Sequence, residues 1–442
     1  MNTSKNQAHR NFLAILMLAV IALAGCEGQA LIQSAFTSDS EPVILPENKE
    51  PDIAASPTPN PSPTPPAFDE LTLWLPPQFD PSNESVASQM ISSHLQSFVK
   101  ENPGVTLDIR VKPSSGPGSL LEVLTLSSTV ALDAMPSLVL LSRSDLEAAV
   151  SRGLLQPIEE NSSAIDESDW FSYAQELAIL HGTAYGLPFA GDAMGIVYRK
   201  DIPPIYFSSW DELMRRPLGV IFPAGDPAAL VTWTLYRAAG GMVQEHQGQP
   251  ELDRNILESV FLLYEQGLAN RNYSADLVEY QTDDQAWESF NAGQGSAVIT
   301  WISRVMNNAD AFSFTSLPSM SDQPFTSARG WVWCLVERKD HKKEAAIQLL
   351  EHLTAPEFLA QWTPAAGYLP VRPSSLAGWE DSNIRQDIQD LLQHAQLRPG
   401  SGITPVMSAS LKEAVRKTML QQSTPSDAVQ DFLEQVEVDE EK

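Results

Sequence analysis

Residues 70–111 read ELTLWLPPQFDPSNESVASQMISSHLQSFVKENPGVTLDIRV, and the change of hydrophobic period inside that stretch decides the fold class. Leu71-Thr72-Leu73-Trp74-Leu75 is a short apolar strand. Val86, Met90, Ile91, Leu95 and Phe98 then recur at helical spacing between Ser85 and Lys100, and Asn102-Pro103-Gly104 stops the helix. Val105 to Val111 alternates as a second strand. Further on, the spacing predicts a helix over Leu120 to Val130 and a strand over Ser137 to Leu141. Ser144 is expected to cap the next helix, with Glu147 completing a capping box and Gly153 ending it. This β-α-β-α-β rhythm predicts an α/β fold: a parallel sheet with helices on both faces. Ligands in such sheets sit at the carboxyl ends of the strands.

The rhythm continues toward the C-terminus. Gly195 to Tyr198, Leu218 to Phe222, Ala297 to Trp301 and Gly330 to Glu337 read as strands. Asp226 to Ala239, Leu252 to Gln266, Asp283 to Phe290, Asp340 to Leu353 and Pro356 to Trp362 read as helices. Thr404-Pro405 and Thr424-Pro425 each place a cap before a first-turn proline and open the last two helices. The chain of 442 residues is long enough for two or three domains. Its 43% hydrophobic and 19% charged content is that of a folded protein. Lys+Arg 28 against Asp+Glu 56 leaves a net charge of −28, which repels phosphate backbones and argues against nucleic-acid binding.

Upstream of the body the sequence reads as an address. Lys5, His9 and Arg10 precede an apolar run from Phe12 to Ala24, too short to span a bilayer, so residues 1–25 are expected to be an export signal. The run ends in Leu23-Ala24-Gly25-Cys26, which resembles the lipobox of bacterial lipoproteins. That resemblance implies cleavage before Cys26 and a lipid on its sulfur, hence a protein anchored at the extracytoplasmic face of the cell membrane. Residues 26–68 carry Pro57-Thr58-Pro59-Asn60-Pro61-Ser62-Pro63-Thr64-Pro65-Pro66. Such a run extends at about 3.1 Å per residue and has no apolar face to fold, so it reads as a stalk. Cys334, left without a partner, reads as a small buried hydrophobe between Trp333 and Leu335.

Catalytic constellations do not appear in the sequence. There is no G-x-S-x-G elbow, H-E-x-x-H, Walker A loop or G-x-G-x-x-G after a strand, and the seven histidines are scattered without metal-ligand spacing. No cofactor or metal is expected. What stands out is aromatic placement at strand ends and loop starts: Trp74, Trp233, Trp301, Trp331, Trp333 and Trp362, with Tyr236 and Tyr368 nearby. Aromatic faces at the mouth of an α/β sheet pack on the apolar faces of sugar rings. A tryptophan taken singly is more often core.

Several stretches resemble the family 1 extracellular solute-binding proteins of ABC importers, the maltose-binding-protein-like group. They include Glu101-Asn102-Pro103-Gly104-Val105, Tyr185-Gly186-Leu187-Pro188-Phe189-Ala190 running into Gly195-Ile196-Val197-Tyr198-Arg199-Lys200-Asp201, and Ser209-Trp210-Asp211-Glu212-Leu213. Further matches are Trp287-Glu288-Ser289-Phe290-Asn291-Ala292-Gly293, Ala355-Pro356-Glu357-Phe358 and Gly367-Tyr368-Leu369-Pro370-Val371-Arg372. The resemblance implies a two-lobed, hinge-connected periplasmic-binding-protein-like fold of the class II type. Lobe 1 would comprise 69–190 and 318–368, and lobe 2 would comprise 191–317 and 369–442. Crossovers are expected near Pro188–Ala193, Leu317–Pro318 and Gly367–Arg372. It also implies a monomer that binds a sugar or oligosaccharide and partners the permease subunits of an importer. Asp192 falls where the family places a sugar-contacting acid, and Trp301 where it delivers an aromatic platform. Trp331, Arg329, Trp74, Trp233, Tyr368 and Ser115, the last in the Ser114-Ser115-Gly116 loop, complete the expected ligand-binding set. Two other readings stay open: a sensor reporting to a membrane kinase, and a secreted glycan hydrolase on the same fold.

Overall fold

Strand β1 (Asp69–Leu75) pairs in parallel with β2 (Val105–Val111) on one side and β3 (Leu138–Ser142) on the other. A computed structural model describes residues 69–159, 162–201, 209–246, 249–306, 311–321, 324–397 and 403–440. All lie in one compact unit, Pro65–Lys442. The segments expected to be an export signal and a stalk, with Cys26 between them, lie outside the described residues. Among the described residues no helix is long and apolar enough to cross a membrane.

Helix α1 (Val86–Glu101) links β1 to β2. Ser85 caps it by accepting from the Ser88 amide, and it buries Ile91, Leu95 and Phe98, whereas Val86 faces solvent in the first turn. Helix α2 (Leu120–Val130) links β2 to β3, and α3 (Arg143–Ser151) follows β3. The cap of α3 is Ser142, not Ser144: its side chain accepts from the Asp145 amide, because β3 runs directly into the helix with no intervening loop. Glu147 instead pairs with Arg143 one turn back.

The sheet is mixed rather than purely parallel. After α4 (Ser172–Ala178) the chain forms β4 (Gly186–Arg199), a single buried 14-residue strand where the sequence suggested only a short one. Later elements are β5 (Val220–Ile221), α5 (Leu230–Ala238), α6 (Arg254–Ala269), α7 (Asp283–Asn291), β6 (Ala297–Trp301), α8 (Ser303–Met306), β7 (Phe312–Thr315) and β8 (Thr326–Leu335). Asp226 does not lie in α5 but holds its start, accepting from the Ala228 and Leu230 amides around a left-handed Ala229. The C-terminal part contains α9 (Asp340–Leu353), α10 (Pro356–Ala366), α11 (Pro373–Ala377), α12 (Ser382–Leu392), β9 (Ala395–Leu397), α13 (Pro405–Met419) and α14 (Pro425–Glu440).

Strand order is β2-β1-β3-β8-β4-β6-β5, with β7 on β4 and β9 on β8. Strand β8 runs antiparallel to both β3 and β4, and β6 antiparallel to β4. The first half of β4 therefore belongs with β8, β3, β1 and β2, while its second half joins β6, β7 and β5. The β8 pairing of β4 passes through Gly191 opposite Gly330, where Leu369 also bridges to Gly191, and ends at Ala193 opposite Ala328; the β6 pairing begins at Met194 opposite Trp301. Three passages of the chain thus converge on one point.

Helix α4 lies against that point, and both glycines are required by its approach. A Cβ on Gly191 would sit 1.9 Å from the Tyr173 hydroxyl, and one on Gly330 would sit 2.4 Å from a Leu177 methyl. Tyr173 donates to the Pro370 carbonyl at 2.8 Å, tying α4 to the third passage. Beyond it Arg372, nearly fully buried, pairs with Glu167 and stacks on Trp170. Helices α13 and α14 pack on α6 beside the β5 half.

Candidate functional site

A cleft of about 1100 Å³ opens over the crossing point. Its floor is Gly191, Asp192, Arg329 and Gly330; Trp331, Tyr368 and Arg143 border it on the β3 half, and Trp301, Ser303, Asp283 and Arg304 on the β6 half. Strand β6 delivers Trp301 as its last residue, and β3 delivers Ser142 and Arg143 at its end, so the cleft lies at carboxyl ends of strands as the α/β rule requires.

The wall on the β3 half is aromatic. Phe79, buried behind it, meets Trp331 edge-on at 5.3 Å and Tyr368 nearly parallel at 5.3 Å, and Tyr368 stacks in turn on buried Trp362. Trp331 and Tyr368 keep partial exposure toward the cleft. Burial, with the nearby Asp192 charge adding to it, pushes the Tyr368 phenol up to about 12, so it remains a neutral donor at physiological pH.

The opposite wall is polar. Thr282 caps α7 and Asp283 and Asp284 fill its first turn, where carboxylates favour the helix dipole. Arg304 bonds both acids, and the Thr300 hydroxyl donates to Asp283 at 2.6 Å. Across the cleft Arg143 is equally occupied. It donates to the carbonyls of Glu176, Leu177 and Ile179 at the end of α4 and to Glu147.

Asp192 has an unexpected environment. It is buried, and its carboxylate accepts from the Ala193 and Ser303 amides, the Ser303 hydroxyl, and Nε and Nη2 of Arg329. Burial raises its pKa and the Arg329 charge and Ser303 bonds oppose that rise. The Arg329 guanidinium lies 3.9 Å from the Trp301 ring centroid, over its face.

Of the residues expected from sequence, the structure brings Asp192, Trp301, Arg329, Trp331 and Tyr368 together at the cleft. Trp74 and Trp233 do not line it. Each is 1% exposed and packed in the core, Trp74 on β1 between β2 and β3 and Trp233 on the inner face of α5 against Phe432. An indole is large and apolar enough that its position at a strand or helix end does not tell which way it faces. Ser115 is exposed in the loop before α2 and is not part of the cleft lining. Gln78, Asp283, Ser303 and Arg304 were missed, although Ser303 and Arg304 follow directly on the carboxyl end of a legible strand. Among the described residues no group of three or more His, Cys, Asp or Glu side chains could hold a metal ion.

A two-lobed architecture with three passages between the halves and a cleft over them is that of a periplasmic-type binding protein, and comparison agrees. The chain belongs to the bacterial extracellular solute-binding protein family, which matches residues 95–389. A maltotriose-binding protein of Pyrococcus abyssi is 25% identical over 273 residues, 56% of this chain and 58% of that protein's length. A putative binding protein of Brucella abortus is 29% identical over 365 residues, 71% of this chain and 79% of its own. Among solved structures, a cyclic α-maltosyl-1,6-maltose binding protein from Arthrobacter globiformis superposes with a TM-score of 0.66. It is 18% identical and covers 84% of this chain and 98% of its own. A cyclo/maltodextrin-binding protein complexed with maltotetraose gives a TM-score of 0.64 at 21% identity, covering 84% and 97%.

Proposed function

We propose that this protein is a lipid-anchored receptor that captures an oligosaccharide outside the cytoplasm and presents it to the permease of an ABC importer. The observation that carries the reading is the cleft itself, with Trp331 and Tyr368 on one wall and carboxylates and arginines on the other. Sugar rings have apolar faces and hydroxyl rims, and those two walls complement them. At about 1100 Å³ the cleft exceeds the roughly 300–1,000 Å³ of small-molecule pockets, which favours several sugar units over one. The names of the relatives point the same way. The lobes would divide where β4 passes from its β8 pairing to its β6 pairing, at Ala193 and Met194, and close by bending near there, ligand stabilising the closed state.

A thermal-shift screen over mono- and oligosaccharides, maltotriose and maltotetraose among them, tests the ligand class. A saccharide at 100 times its dissociation constant stabilises by about 2.7 kcal/mol, and no shift with any saccharide removes the carbohydrate reading. The anchor rests on the lipobox-like Leu23-Ala24-Gly25-Cys26. Cys26→Ala is expected to release the protein from membranes, and a processed mutant that still sediments with them contradicts the lipid.

A further inference from the structure

Asp192 has no acceptor left for a ligand. Five donors converge on its two oxygens: the Ala193 and Ser303 amides on Oδ1 at 3.0 Å each, and the Ser303 hydroxyl and Arg329 Nη2 and Nε on Oδ2 at 2.6, 2.9 and 3.2 Å. An ionised carboxylate offers about four lone-pair sites. The side chain is 3% exposed, whereas that of Arg329 is 54% exposed. The face of Trp301 is also occupied, because the guanidinium covers it at 3.9 Å and the residue as a whole is 5% exposed. Two of the three guanidinium nitrogens are pinned to a single oxygen, which fixes the plane of the fork. Nη1 makes no hydrogen bond among the described residues. Arg329 and Asp192 are directly opposite in the β4–β8 register, so the backbone pairing sets their distance before any ligand arrives.

We propose that Asp192 is a positioning residue that acts on the ligand only through Arg329: it holds the guanidinium flat on Trp301, and Arg329 is the ligand-facing donor of the cleft floor. Trp301 then serves as the bed for the guanidinium and not as a sugar platform. The inference rests on the proposed carbohydrate reading for its ligand arm alone. Since the charge of Arg329 is matched by Asp192, the donor suits a hydroxyl and does not demand an anion.

Full-length protein carrying 5-fluorotryptophan tests the ligand-free half, with the Trp301 fluorine resonance assigned by its loss in Trp301→Phe. The resonance is expected to move in Arg329→Met, to move in Asp192→Asn, and to lie in the double variant where Arg329→Met alone puts it. A Trp301 signal unmoved by Asp192→Asn overturns the proposal. Should Asp192→Asn fail to fold, Asp192→Glu keeps the charge but displaces it by a methylene, and the same movement is expected of it.

Calorimetry with maltotetraose as probe tests the other half. Arg329→Met and Asp192→Asn are each expected to weaken binding at least tenfold. In the Arg329→Met background Asp192→Asn is expected to add less than twofold. A further tenfold loss there makes Asp192 a direct ligand contact and overturns the assignment. If the wild-type protein binds no saccharide, the carbohydrate reading fails, and the fluorine measurement judges the Asp192–Arg329–Trp301 arrangement by itself.

Discussion

Adding a single methyl group at the crossing point should be costly, and Gly191→Ala measures how costly. The new Cβ would lie 1.9 Å from the Tyr173 hydroxyl oxygen and 2.9 Å from its ring carbon, far inside contact distance. Tyr173 cannot swing aside, because it is fully buried on α4 and its hydroxyl donates to the Pro370 carbonyl at 2.8 Å. Either the ring shifts and gives up that bond, or β4 moves away from α4 and strains its pairing with β8. Overpacking of a tight interior costs about 1–3 kcal/mol, and a lost buried hydrogen bond adds about 0.5–1.5 kcal/mol. The variant is therefore expected to lose about 2–4 kcal/mol, read as a lower melting temperature in the ligand-free protein. Tyr173→Phe supplies the internal control. It removes the atom that clashes, so the double variant should recover about 1 kcal/mol relative to the sum of the singles. A Gly191→Ala melt within about 0.5 kcal/mol of wild type, the margin for an uneventful substitution, refutes the claim that α4 abuts the crossing. Strictly additive singles refute the assignment of the clash to the hydroxyl.

Other substitutions separate core from cleft. Trp233→Ala should cost about 3–5 kcal/mol of stability, because it empties a packed site beneath α5 and removes a bond to the Ser408 hydroxyl; a small thermal effect would return Trp233 to the surface. Burial raises the Asp192 pKa, with Arg329, Tyr173 and Tyr368 the titratable groups that interact with it. Its stability contribution is thus fully present below the unfolded value of about 3.9 and lost as pH rises through the raised folded value. Between those two pH values wild type should gain stability over Asp192→Asn on acidification, and a difference that is flat with pH contradicts a pKa raised by burial. The Cys334 thiol, buried and pushed far above its ordinary pKa, should resist a thiol reagent in the native state and react only on unfolding; rapid native labelling would show that β8 opens locally.

The local chemistry of the chain determined its elements. Ser85, Thr404 and Thr424 cap helices α1, α13 and α14 as their side chains dictate, and the apolar spacing of Leu71 to Leu75 and Ala297 to Trp301 marks real strands. Those signals are short-range, set by hydrogen bonds and side-chain periods within a few residues. Local signals misplace boundaries where a neighbour intervenes: Ser142 rather than Ser144 caps α3, and β4 continues through both halves because strands on either side pair with it. The site was decided only by the tertiary fold. Asp192 and Arg329 are 137 positions apart and Asp192 and Ser303 are 111 apart, and their union depends on the antiparallel register of β4 with β8 and on where β6 ends. Composition likewise cannot separate Trp331 at the cleft from Trp74 in the core, since an indole's transfer free energy favours burial wherever a surface exists to receive it. Only the assembled sheet and helices decide which face is covered.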